Sequence, residues 1–349
     1  MTKSGSMIPR RVLGDTGLSV SSIGLGGAVL GNLYRAIPDD VAAQTLTAAL
    51  DAGIRYIDTA PHYGRGLSER RIGDALRDRE GIVLSTKVGR LMLPDMSIVQ
   101  ENGGTLDGFH SPMPFRGVYD YSRDGVLRSW EQSLQRLGIA RIDLLYIHDI
   151  GRRQHGEDHD RTWRQLTRGG GLAALEELRA AGEITGFGAG LNEIAVCLDL
   201  LAETRLDVVL LAGRYTLLEQ EALTALFPAC ARTGTPVVIG GPYNSGILAQ
   251  GTQTDATMRY DYAPASQPVV ARVARIEAIA ADHGVPLAAA ALRLPLAHPQ
   301  VASVIPGLGS PQEVAATRAL LAVPIPDGFW QELIAADLLH PDCPLPKAA

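Results

Sequence analysis

The sequence predicts a closed (β/α)8 barrel, a TIM barrel of the α/β class, and three observations carry that reading. Eight short apolar runs of strand length recur along the chain. Each is followed by a longer segment, most with apolar residues at i, i+3 and i+4, the period of a helix with one buried face. No shift in composition interrupts the alternation, so residues 1–349 read as one domain. Nearly continuous apolar strands belong in a parallel sheet covered by helices, and eight such units favour closure. An open dinucleotide-binding sheet requires G-x-G-x-x-G after its first strand; GLGGAVLG (24–31) has Val29 where the last glycine must fall.

In chain order, residues 10–20 (RRVLGDTGLSV) place a D-x-G turn between two short β-like runs, which predicts a hairpin capping the barrel's bottom. The eight strands are predicted over 21–27, 55–60, 82–88, 141–149, 184–190, 207–213, 236–241 and 301–307. Their helices are predicted over 39–53, 67–78, 123–138, 167–182, 192–204, 217–234, 268–284 and 310–322, several closing on glycine, the usual helix stop. Two long segments rich in turn residues stand outside the rhythm: 90–121 after the third strand and 243–266 after the seventh. Long irregular loops are commonly functional, and loops that follow strands lie on the barrel's C-terminal face, so both are expected to wall a substrate site.

Composition narrows the function classes. Net charge is −6 with no dense Lys/Arg run, which argues against a nucleic-acid partner. Cys197, Cys230 and Cys343 are far apart, so neither a disulfide framework nor a metal site is expected. The first residues lack an apolar signal core and no run of about 18 uncharged apolar residues occurs, so a cytoplasmic protein without membrane contact is expected. Oligomeric state is not readable.

The stretch RYIDTAPHYG (55–64) carries an acid where a buried strand ends and a phenol five residues later. The C-terminal ends of three successive strands bring Asp58 with Tyr63, Lys87 and His148 to one rim. Singly these have bland readings as a turn acid, a solvated lysine, a structural histidine and a packed ring; together they point to chemistry. A phenol titrates near about 10, and a nearby cation is expected to lower that. Lys87 supplies the cation, Asp58 keeps Lys87 charged, and His148 orients or protonates an oxygen on the reacting carbon. Such a relay moves a proton at a carbonyl or hydroxyl oxygen and needs a hydride partner, hence a nicotinamide cofactor.

On D-T-A-P-H-Y-G (58–64), S-T-K (85–87), D-L-L-Y-I-H (143–148) and V-I-P-G (304–307), the chain resembles the aldo-keto reductase superfamily from Arg11 to about Val323. The resemblance implies a (β/α)8 barrel holding NAD(P) at its C-terminal face, with Asp58, Tyr63, Lys87 and His148 as the catalytic set. It also implies cofactor contacts from Asn192, Tyr215, the strap Gly241, Pro242, Tyr243, Asn244, Ser245 and Gly246, and the tail residues Gly307, Glu313 and Thr317. Leu191 and Ala212 stand where relatives usually carry Ser and Gln. NADP-binding relatives commonly place Lys and Arg at the positions of Gly307 and Glu313. A carboxylate repels a 2′-phosphate but accepts a hydrogen bond from a free ribose hydroxyl, so NAD is the expected cofactor.

GRYTLLEQ (213–220) and GGPYNSGIL (240–248) resemble the branch of NAD-dependent aldose dehydrogenases acting on L-fucose, D-threo-aldoses, L-galactose or pyridoxal. The implied reaction oxidises the anomeric carbon of an aldose hemiacetal to the lactone. Oxidation of pyridoxal to its lactone is the alternative, an NADPH-dependent aldehyde reductase is a weaker one, and a non-catalytic channel-regulatory barrel belongs to a different class. Phe115 and Tyr119 in the long third loop are expected to stack on a sugar face, whereas Trp130 and Trp163 are read as packing.

Overall fold

In a computed structural model describing residues 8–100 and 104–347, the eight predicted strands form one parallel sheet. We label the barrel strands β1 (Leu25–Gly26), β2 (Tyr56–Asp58), β3 (Val83–Val88), β4 (Leu144–His148), β5 (Gly186–Leu191), β6 (Val208–Ala212), β7 (Val237–Gly240) and β8 (Val301–Ile305). Each pairs with its neighbours in chain order. Parallel bridges Ile23–Val304 and Gly26–Gly307 join the two edges, so the sheet closes into a barrel.

Side-chain alternation sorts every strand into an inner and an outer row. Tyr56, Val83, Leu144, Tyr146, Val208, Leu210 and Val238 pack inside the barrel, while Ile57, Leu84, Leu145, Ile147, Val209 and Leu211 pack outward under the helices. Asp58 is two residues beyond Tyr56, Lys87 four beyond Val83, and His148 two beyond Tyr146, so the period of two carries all three onto the inner face near the mouth. Inner space there is limited: a Cβ at Gly190 would lie 3.0 Å from Tyr146 Cβ and 3.5 Å from Lys87 Cε.

The predicted hairpin is Arg10–Val12 paired antiparallel with Ser19–Ser21. Its Leu13 and Val20 are fully buried in the inner cluster, against residues from the starts of the strands, which plugs the bottom. Two expectations need correction. Within 90–121, Arg90–Pro94 and Phe115–Tyr119 form an antiparallel ribbon, and Thr105–Leu106 pairs with Phe109–His110, where the sequence predicts an irregular loop. The helix predicted over 217–234 is only Leu226–Thr233 preceded by one 3-10 turn, because the Thr216 hydroxyl accepts the Leu218 and Glu219 N–H groups and holds a turn there. Helices Leu287–Leu296 and Asp327–Ala335 lie outside the predicted rhythm. The first, LAAAALRLPL, is apolar on nearly every side and so shows no stripe. Among the described residues, no helix is long and apolar enough to cross a membrane.

Candidate functional site

Asp58, Tyr63, Lys87 and His148 meet at the mouth of the barrel. Lys87 Nζ donates to Asp58 Oδ2 at 2.6 Å and to the Thr59 carbonyl at 2.8 Å, with both charged side chains only 2% exposed. The other Asp58 oxygen accepts from Ser85 Oγ at 2.7 Å, Ser85 lies 3.1 Å from Tyr56 OH, and that hydroxyl is 2.8 Å from Tyr146 OH. A ladder of inner-row hydroxyls therefore supports the ion pair from below. Tyr63 reaches the same point from the loop after β2: its ring centroid is 4.7 Å from Lys87 Nζ and 6.1 Å from the His148 ring, edge to face.

Backbone geometry fixes Tyr63. Gly64, Arg65 and Gly66 run in the left-handed region, with φ of 63°, 58° and 99°. A Cβ at Gly64 would sit 2.5 Å from the Gly31 carbonyl, so the loops after β1 and β2 touch backbone to backbone at a place only glycine permits.

Electrostatics differ from the sequence-based expectation at one point. Burial, then the Asp58 and Asp149 carboxylates, hold the Tyr63 phenol well above its ordinary range; Arg90 opposes them. Lys87 does not bring it below the ordinary value, because its ammonium is paired with Asp58 at contact distance while burial and the two carboxylates outweigh the cations. His148 is held well below its usual value by burial, Lys87, Arg90 and His62, so the imidazole is neutral at pH 7. The substrate-free site thus presents a protonated phenol beside a neutral imidazole.

The cofactor residues fare unevenly. Asn192 follows β5 at the mouth, where its carbonyl accepts from Arg214 Nε at 2.9 Å. In the strap, Asn244, Ser245 and Gly246 are consecutive left-handed residues after Gly241, Pro242 and Tyr243, and the Asn244 and Gly246 N–H groups bond the Gly241 and Tyr243 carbonyls inside the turn. Asn244's own side chain accepts from Thr216 Oγ1 at 2.5 Å and donates to the Gly213 carbonyl at 3.2 Å, so it braces the strap. Tyr215 does not face the site. Its ring is fully buried against Phe227 and His298 and its hydroxyl lies 3.3 Å from Cys343 Sγ, because it belongs to the outer packing layer.

At the tail, Gly307 pairs with Gly26, and a Cβ there would meet Val29 Cγ2 at 2.8 Å, so the position has little room for a longer side chain. Glu313 sits in the first turn of helix Pro311–Leu321; Ser310 Oγ caps its N–H and its Oε2 accepts the Gly309 N–H at 2.8 Å. Its other oxygen is paired with Arg35 from the loop after β1. Thr317, one turn on, is buried.

Of the two predicted substrate residues, Tyr119 lies at the site and Phe115 at the other end of the same ribbon strand. Tyr119 pairs with Arg90 in the ribbon, its hydroxyl accepting from Arg90 Nη2 at 2.5 Å. Phe115 pairs with Pro94 four residues along, about 13 Å of strand away. The aromatic wall is instead Phe109, which stacks on Tyr63 at 6.1 Å and meets His62 edge-on at 5.2 Å. Its sequence signal was Asp107-Gly108, a two-residue hairpin turn with both φ values positive. Trp130 and Trp163 pack against the core as read.

A buried Asp–Lys pair, a phenol and an imidazole at the C-terminal mouth of a parallel barrel define a protein equipped for proton transfer at an oxygen. Residues 22–337 match the Aldo/keto reductase family. The chain is 45% identical to pyridoxal 4-dehydrogenase of Microbacterium luteolum, over 95% of this chain and 98% of that one. It is 41% identical to D-threo-aldose 1-dehydrogenase of a Pseudomonas species, over 93% and 96%. A holo aldo-keto reductase from Bacillus halodurans superposes with a TM-score of 0.71, covering 98% of this chain and 97% of that one at 24% identity, which speaks to the fold. The chain belongs to the Aldo/keto reductase family and is an oxidoreductase that works with a nicotinamide cofactor.

Proposed function

We propose that this chain is an NAD-dependent dehydrogenase that oxidises the anomeric carbon of an aldose hemiacetal to the lactone. The observation that carries the reading is the convergence of Tyr63 on the Lys87–Asp58 pair and His148 at the mouth. Similarity to D-threo-aldose 1-dehydrogenase supports the substrate class. NAD rather than NADP is supported by a carboxylate at 313 and by the absence of a cation at 307.

Tyr63, as phenolate, takes the anomeric hydroxyl proton while the C–H electron pair leaves as hydride and the C–O bond becomes a carbonyl. A bound nicotinamide would supply the hydride acceptor. His148, neutral, hydrogen-bonds the same oxygen and steadies it as charge develops. Lys87 and Asp58 fix the base of the site and keep an unpaired charge out of it. Asn192, the strap Gly241–Gly246, Glu313 and Thr317 would hold the cofactor at the mouth.

Pyridoxal is the second reading, favoured by the 45% identity to pyridoxal 4-dehydrogenase, since its aldehyde also closes to a cyclic hemiacetal. Following NADH formation with NAD and L-fucose, D-arabinose, L-galactose or pyridoxal separates the two. Turnover of none of them would refute both, and Tyr63→Phe should abolish whichever occurs while NADH still binds.

A further inference from the structure

Beside Tyr63 lies a set of charged side chains that the proton chemistry leaves unused. Arg65 is 9% exposed and Arg90 4%, although both are guanidiniums. They pass one another at Gly117, where a Cβ would lie 2.6 Å from Arg65 Nη1 and 3.3 Å from Arg90 Cδ. Arg65 pairs with Asp107. Arg90 donates to Tyr119 and pairs with Asp149 at 3.3 Å, and Asp149 Oδ2 is 3.4 Å from His148 Nε2.

These partners do not exhaust the set. Arg65 Nε, Arg90 Nε, His62 Nδ1 and His148 Nδ1 are all buried without a hydrogen-bond partner. His62 and His148 stand 6.3 Å apart, centroid to centroid, and both flank Tyr63 in sequence or space. These four atoms are sealed, whereas the Asp149 side chain beside them is a quarter exposed, which leaves an open carboxylate acceptor at the edge of the guanidinium pair. Arg65 and Asp149 also hold positive φ, at 58° and 49°, a backbone strain that gathers at binding sites.

Charge identifies the ligand class. Arg65, Lys87 and Arg90 are balanced by Asp58, Asp107 and Asp149, and both imidazoles are neutral. Within these three pairs no cation is left over to match an anion. What remains are fixed N–H donors beside carboxylate acceptors, the pairing that vicinal hydroxyls satisfy as donor and acceptor together.

We propose that Arg65, Arg90 and Asp149 form a polyol-recognition subsite that takes the ring hydroxyls next to the reacting carbon of a neutral sugar. This deepens the aldose reading above and rests on it for the cyclic substrate, but its selectivity is measurable on open-chain aldehydes.

The test is reduction of glyceraldehyde against propanal at saturating NADH, or NADPH if that is the better reductant, by the wild-type enzyme and by Arg65→Lys, Arg90→Lys and Asp149→Asn. The lysine variants keep the charge and lose the planar guanidinium fork. The wild type should favour the hydroxylated aldehyde by about 100-fold in kcat/KM, and each substitution should lower that ratio about tenfold or more. Because the readout is a ratio on one preparation, partial misfolding of a variant cancels. Wild-type indifference to the hydroxyls, or ratios unmoved in all three variants, would overturn the subsite. A preference for glyceraldehyde 3-phosphate over glyceraldehyde would overturn the neutral-ligand assignment. Failure to oxidise any aldose with NAD sinks the function proposed above and leaves this ratio readable.

Discussion

Lys87 Nζ and Asp58 Oδ2 lie 2.6 Å apart with 2% of either side chain exposed, and the pair stands on the Tyr146–Tyr56–Ser85 hydroxyl ladder. Removing one member strands the other charge where water cannot reach it. Lys87→Met and Asp58→Asn should each destabilise the fold by about 3–5 kcal/mol, and the double substitution by less than the sum. Denaturant unfolding of the three variants measures this. Single losses below about 1 kcal/mol would mean that the pair is hydrated in solution.

Tyr63 sets the direction of the pH profile. Burial and two carboxylates raise its titration above the free phenol's, so at neutral pH the group is protonated. Oxidation consumes the phenolate, so its kcat/KM should climb with pH by up to about tenfold per unit through the neutral range. Reduction uses the phenol and should stay flat until strongly alkaline pH. An oxidation kcat/KM already level at pH 7 would contradict the raised titration of Tyr63 before substrate binds.

How much of this was legible in the sequence follows from which physical signal each element carries. The eight strands were readable because burial on both faces leaves an unbroken apolar run, and Asp58, Lys87 and His148 because the period of two places them on one face at the strand ends. Tyr215 was misplaced because its spacing from β6 says nothing of which side of the sheet its ring takes. Phe109 was missed because a loop's contacts depend on where its turn falls, although Asp107-Gly108 marks that turn. The partners of Arg90 were invisible: a ribbon register over residues 90–119 brings Tyr119 to it, and Asp149 comes from another strand altogether.

Buried phenols also govern alkaline stability. Tyr56, Tyr63, Tyr121 and Tyr146 are all held above the free phenol's range, with burial the largest cause in each. Above about pH 10 the unfolded chain loses these protons while the native state keeps them, so the unfolded state binds fewer. Stability is therefore fully present below about pH 10 and falls above it, by up to about 1.4 kcal/mol per pH unit for each phenol. Melting temperatures measured from pH 8 to 11 should drop steeply only in the last unit. Tyr146→Phe should soften that slope.

Glu313 offers the sharpest handle on the cofactor. Its carboxylate caps the Gly309 N–H and pairs with Arg35, so that guanidinium is already matched. Glu313→Arg removes the acceptor that a ribose hydroxyl would use and leaves two guanidiniums, at 35 and 313, where a 2′-phosphate would lie. The NAD to NADP ratio of kcat/KM should fall by about 10- to 100-fold, as one or two charge-assisted contacts change sign. Glu313→Gln isolates the charge: it keeps the capping hydrogen bond, frees Arg35, and should move the ratio the same way by a smaller factor. Gly307 is best left alone, because a side chain there meets Val29 before it meets any ligand. If neither substitution moves the ratio, the adenosine end of the cofactor lies elsewhere on the mouth, and helix Pro311–Leu321 is merely capped by its glutamate.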